Sequence, residues 1–195
     1  HDKASIKCFA DHLVYIGQSM SADKRVMGLL DSALSMGLLQ ERFCRDYGIQ
    51  LHHQVEGRTG AEGICHSIMT ERYVLPGQVV NATDSHTPHC GAIGALAFGV
   101  GASEMANAWI TGDVRMAPPR VCRVELQGRL SPGVDAKDLV LHILTLPQVR
   151  SGALVGQILE YGGEAIRSMG IDARATLTNM VAEIGGLTGI VEPDQ

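Results

Sequence analysis

Gln78-Val-Val-Asn-Ala-Thr83 runs directly into Asp84-Ser-His86-Thr87, and a stretch of small residues, Gly91-Ala-Ile-Gly-Ala-Leu-Ala-Phe-Gly-Val-Gly101, follows soon after. The first six residues read as a strand, and the four after it as a turn that carries an acid and an imidazole. In open α/β sheets, functional groups collect outside the carboxyl ends of strands, so this position suits chemistry.

Strands and helices alternate on both sides of this segment. Upstream, Ile6 to Ala10 reads as a short strand ending at Asp11-His12. From an N-cap at Ser21, apolar residues recur at helical spacing: Val26, Leu29, Leu30, Ala33, Leu34 and Met36, then Leu38 and Phe43. They give one helix, or two broken near Gly37, ending at Gly48. Ile49 to Gln54 is a candidate strand, and Gly60 to Tyr73 a helix closed by the Pro76-Gly77 turn. This order predicts a mostly parallel, doubly wound sheet for residues 1–117.

Pro118-Pro119 marks an expected domain boundary, with a smaller α/β unit over 118–195. There Cys122, Val124 and Leu126 alternate with Arg123, Glu125 and Gln127, as in a half-buried strand. Asp135, with Asp138 three residues on, can cap a helix through Leu139, Ile143 and Leu146. A strand is expected to end near Glu160, and a helix from Asp172 to Ile184 to stop at Gly185-Gly186.

Composition narrows the function. The 195 residues are 45% apolar and 19% charged, ordinary for a folded α/β protein. A net charge of −5, without a basic run or aromatic ladder, argues against nucleic acid. The longest apolar stretch, Ala92 to Gly101, is about half of a membrane-spanning helix. With no signal pattern, a cytoplasmic location is expected. The five cysteines are an odd number without C-x-x-C, so neither a disulfide framework nor a zinc ribbon is predicted. The chain opens at His1-Asp2 without an initiator Met, which reads as a fragment.

Asp11-His12, His66, Asp84 with His86, and Glu160 stand at strand ends or in turns. A histidine paired with a carboxylate is held in one tautomer and made more basic, which suits proton transfer. Taken alone, such a pair is more often structural. His86-Thr-Pro-His89 has H-x-x-H spacing, but Pro88 opposes the helix that would align the rings, so no metal is assigned. Gly99-Val-Gly101 is followed by Glu104 where a dinucleotide fingerprint needs glycine, and no P-loop or G-x-S-x-G is present. His52, His53 and His142 read as structural or surface residues.

Asn81-Ala-Thr-Asp-Ser-His-Thr-Pro88, Gly91 to Gly101 and Ser103-Glu-Met-Ala106 together resemble the signature of the aconitase and isopropylmalate dehydratase family. Asp11-His-Leu13, Gly63-Ile-Cys-His66, Pro132 to Leu139, Glu160-Tyr-Gly-Gly-Glu-Ala-Ile166 and Asn179-Met-Val-Ala-Glu-Ile-Gly185 follow the family's order. The resemblance implies a three-layer α/β/α fold and carboxylate–imidazole pairs around a [4Fe–4S] cluster. By position it pairs Asp11 with His12, Asp84 with His66, and Glu160 with His86. It implies a hydro-lyase acting on a small hydroxy di- or tricarboxylate, with 3-isopropylmalate first and the substrates of aconitase, homoaconitase or a catabolic hydratase as alternatives. A small, swivelling-domain subunit is an implied partner. The family's cluster cysteines, substrate-clamping arginines and serine base are expected outside these residues, so the isolated chain is expected to lack cluster and activity. A non-catalytic α/β module or assembly partner is the reading from another class.

Overall fold

The computed structural model describes residues 2–12, 14, 27–53 and 60–194. Leu13, Ser21, Val26 and Gln54, which enter the readings above, lie outside the described residues. The chain divides into two compact units, residues 1–65 and 66–195. All described strand pairs are parallel, as expected for an α/β fold.

In the first unit, β1 (Lys7–Phe9) pairs in parallel with β2 (Gln50–His52), Cys8 standing opposite Leu51. Between them runs α1 (Met27–Tyr47). It passes through Gly37 without a break and ends at Gly48, whose φ of 66° only glycine adopts readily. The Phe9 and His52 rings stack at 4.9 Å, and His52 Nδ1 bonds Glu62 at 2.7 Å.

Helix α2 (Cys65–Arg72) is shorter than its sequence suggests, because Gly60 has a φ of 99° and residues 60–64 are not helical. In the second unit, β3 (Val79–Ala82) pairs with β4 (Leu96–Gly99). A 3-10 turn over Thr87–Ile93 joins them. After α3 (Ala102–Thr111) come β5 (Val121–Glu125), α4 (Ala136–Ile143) and the single turn α5 (Pro147–Arg150). Strand β6 (Ile158–Gly162), α6 (Glu164–Ser168), α7 (Ile171–Asn179), α8 (Val181–Ile184) and β7 (Thr188–Val191) complete the chain. The order β5-β6-β7 forms a three-stranded parallel sheet. Asp135 and Asp138 make the anticipated capping box on α4.

The core of this unit is Val140, Leu159, Tyr161, Ile166, Leu177 and Val181, none of them measurably exposed. Pro118-Pro119 lies inside the unit, since elements on both sides of it pack together. The buried Thr188 hydroxyl donates to the carbonyl of Ala97, tying β7 to β4. Thr178 donates to the carbonyl of His89 at 3.1 Å, tying α7 to the 3-10 turn. Gly91 in that turn lies so close to β7 that a methyl group on it would overlap the Gly189 carbonyl. Among the described residues, no helix is long and apolar enough to cross a membrane.

Two substitutions separate these terms. Gly91→Ala drives a methyl into main chain that cannot rotate away, and is expected to cost about 2–3 kcal/mol or more. Tyr161→Phe removes a fully buried hydroxyl that has no hydrogen-bond partner among the described residues. It is expected to leave stability unchanged or raise it by about 1 kcal/mol. Urea unfolding checks both; a neutral Gly91→Ala would contradict the close contact.

Candidate active site

The turn after β3 is built by its own polar groups. Asp84 Oδ1 accepts the His86 backbone N–H at 2.6 Å, and the Asp84 carbonyl accepts the Thr87 hydroxyl, also at 2.6 Å. Side-chain acceptance two residues ahead is what makes aspartate a turn former. At the end of β4, a methyl on Gly99 would stand 2.8 Å from the Asp84 carbonyl oxygen, so the turn needs a residue without a side chain there.

The turn aims the His86 ring between two acids. Its Nδ1 is 3.6 Å from Asp84 Oδ1 and 3.3 Å from the Ser85 hydroxyl, and its Nε2 is 3.1 Å from Glu183 Oε1. The His86 and Glu183 side chains are 34% and 41% exposed, so the ion pair itself contributes at most about 1 kcal/mol. Its significance is positional.

His66, at the start of α2, places its ring centroid 6.2 Å from that of His86 and 4.9 Å from that of His89. A ring nitrogen of His66 and a carboxylate oxygen of Asp84 lie within 4.8 Å of one another. Asp84 thus stands near both imidazoles. Asn179 Nδ2 approaches His89 Nδ1 at 3.3 Å and can donate to it, which leaves the His89 proton on Nε2. Burial, and then the neighbouring His66, push His89 down from 6.5 to about 4 against an opposing pull from Asp172. His89 is therefore neutral at neutral pH.

Asp11 and His12 belong to the first unit. Their side chains pair at 2.9 Å, with Asp11 9% and His12 70% exposed. Asp11 Oδ2 also accepts the backbone N–H of Cys65 at 2.6 Å. Burial raises the Asp11 carboxyl, but the His12 bond and the Cys65 amide and thiol outweigh it, so its net shift is downward.

Glu160 is not the acid beside His86. Parallel register sets Glu160 opposite Arg123, and the guanidinium bonds it at 2.9 Å. Arg123 also bonds Glu125 at 2.9 Å and reaches Glu192, which Arg167 bonds in turn. The pairing of Glu160 with His86 is therefore corrected: Glu183 holds that place. A signal for it was present. Asn179 and Glu183 are four residues apart in a segment otherwise of Met, Val and Ala, and they meet His89 and His86, three residues apart in the facing turn.

Residues 3–195 match the model of the aconitase family (aconitate hydratase). The chain belongs to the aconitase family. Its relatives include the 3-isopropylmalate dehydratase large subunit of Synechococcus sp. strain JA-2-3B'a(2-13), 43% identical over 155 residues, 79% of this chain and 32% of that protein. The methanogen homoaconitase large subunit of Methanocaldococcus jannaschii is 40% identical over 163 residues, 84% of this chain and 37% of that protein. The 3-isopropylmalate dehydratase large subunit of Corynebacterium glutamicum is 38% identical over 165 residues, 84% and 33% of the two chains. This aconitase-family chain spans about a third of the length of these relatives.

The state of His89 has a stability consequence. Between 6.5 and about 4 the unfolded chain takes up a proton that folded His89 refuses. Stability from this residue is full above that window and is lost as pH falls through it. The slope of the urea midpoint against pH there is expected to flatten in His89→Gln. Equal slopes in variant and wild type would show that His89 is not held neutral.

Proposed function

We propose that the parent of this chain is a hydro-lyase that removes and re-adds water across adjacent carbons of a small hydroxy polycarboxylate. The observation that carries this reading is His86 set between Asp84 and Glu183, with His66 one ring away. Loss of hydroxide from a hydroxy acid needs a proton at the leaving oxygen, and rehydration needs that proton taken back. An imidazole backed by a carboxylate can do both near neutral pH. In this reading His86 carries the proton at one ring nitrogen while Glu183 or Asp84 steadies the charge that forms. His66, near Asp84, is the second imidazole for the same exchange, and Asp11 with His12 forms a further pair.

The names of the relatives support 3-isopropylmalate as the first substrate, and with it a place in leucine biosynthesis and a cytoplasmic location. "Large subunit" in those names supports a separate small subunit as partner. The homoaconitase relative, at 40% identity, favours a longer tricarboxylate as the second reading.

The [4Fe–4S] cluster implied by the family requires thiolates that converge. The cysteines of this chain do not fit that role: Cys8, Cys44 and Cys90 are buried, and among the described residues no three cysteines gather. The cluster is therefore assigned to thiolates elsewhere in the parent protein, and the roles proposed for residues 1–195 are confined to acid–base work.

Kinetics of the full-length protein test the assignment. His86→Ala and Glu183→Gln are each expected to lower turnover by a factor on the order of 10² or more. Glu160→Gln, which only loosens the Arg123 network, is expected to stay near wild type. Near-normal turnover in Glu183→Gln, or an equal loss in Glu160→Gln, would overturn it.

A further inference from the structure

The first unit holds two buried thiols that the proposed chemistry leaves unused. Gln40 of α1 donates to the carbonyl of Phe9 in β1 at 3.2 Å, so this face of the helix lies on the strand. Cys44 is one helical turn beyond Gln40 on the same face, and Cys8 precedes Phe9. Cys44 is the side chain that, after burial, most raises the Cys8 thiol, which places the two side by side. Both are nearly closed off, at 9% and 3% exposure. The sulfurs of Cys90 and Cys122 instead lie against Thr70 and the Arg123 carbonyl, at 3.4 and 3.9 Å. Cys44 also lines a cavity of about 350 Å³ with Glu41, Arg45, Ile49, Leu51 and His53.

We propose that Cys8 and Cys44 are an oxidisable dithiol, closed by hydrogen peroxide to a disulfide that tethers β1 to α1. In the first step the Cys44 sulfur attacks one peroxide oxygen. The O–O bond breaks, Cys44 becomes a sulfenic acid, and its thiol proton leaves with the departing oxygen as water. In the second step the Cys8 sulfur displaces the sulfenic hydroxyl. The S–S bond forms, and that hydroxyl leaves as a second water with the Cys8 proton. Two thiols lose one electron each, and one peroxide takes both.

The order of attack follows from the surroundings. Burial first, and then the Cys44 neighbour, push the Cys8 thiol up to about 12, so it stays protonated and is the poorer opening nucleophile. The exchange is therefore slow at neutral pH and faster in alkali. The bridge encloses Asp11 and His12, so oxidation restrains the segment that carries this acid–imidazole pair.

The test uses the full-length protein. It is treated with hydrogen peroxide under conditions in which its circular dichroism is unchanged, then denatured with iodoacetamide and mapped by mass spectrometry. The expected result is a Cys8–Cys44 linked peptide two hydrogens lighter than its thiol parts, reversed by dithiothreitol and formed faster as pH rises. In Cys8→Ser the expected product is a dimedone-reactive sulfenic acid on Cys44. Recovery of Cys8 and Cys44 as alkylated thiols, or their bridging to other cysteines, would overturn the proposal. So would a sulfinic acid as the main wild-type product. None of these readouts depends on hydro-lyase activity.

Discussion

In the second unit the turn over Thr87–Ile93 packs against β7, with Gly91 so close to the Gly189 carbonyl that its position leaves no room for a side chain. A methyl on Gly189 would meet Val181, Thr178 and Tyr161, so both faces of this one strand are already filled. The hydrogen bonds from Thr188 to Ala97 and from Thr178 to His89 complete the seam. Main-chain contact of this kind cannot relax through a change of rotamer, so it fixes distances that long side chains would leave adjustable.

The candidate site follows from that seam. His86 begins the turn and Glu183 stands in α8, just before β7, and the contact sets their side chains 3.1 Å apart although 97 positions separate them in sequence. His89 and Asn179 meet by the same geometry. Three neighbouring imidazoles stand in different surroundings. His86 has carboxylates at both ring nitrogens, His66 has Asp84 within reach, and His89 is buried and neutral. Partly exposed pairs add little to stability, so what the fold supplies is placement, which acid–base catalysis needs most.

Much of this could be read locally. β3 and the Asp84–His86 turn, the Asp135–Asp138 box and the glycine stops at Gly48 and Gly185 depend on neighbours in sequence, and the structure has them where local chemistry puts them. What could not be read depends on partners far along the chain. The first amide of α2, at Cys65, is satisfied by Asp11, so no local cap announced that start. The run Gly91 to Gly101 has no usable periodicity, because its small residues are set by close approach rather than by an apolar face. Strand register, invisible in a single sequence, sets Glu160 opposite Arg123 and not beside His86.

The measurement that bears most directly on this account is a crystal structure of the full-length protein, read at one ring. The expected result is His86 Nε2 at about 2.7–3.2 Å from a Glu183 carboxylate oxygen, with Gly91 against the Gly189 carbonyl and Glu160 held by Arg123. His86 turned to Glu160, with Glu183 in solvent and the turn lifted from β7, would contradict it.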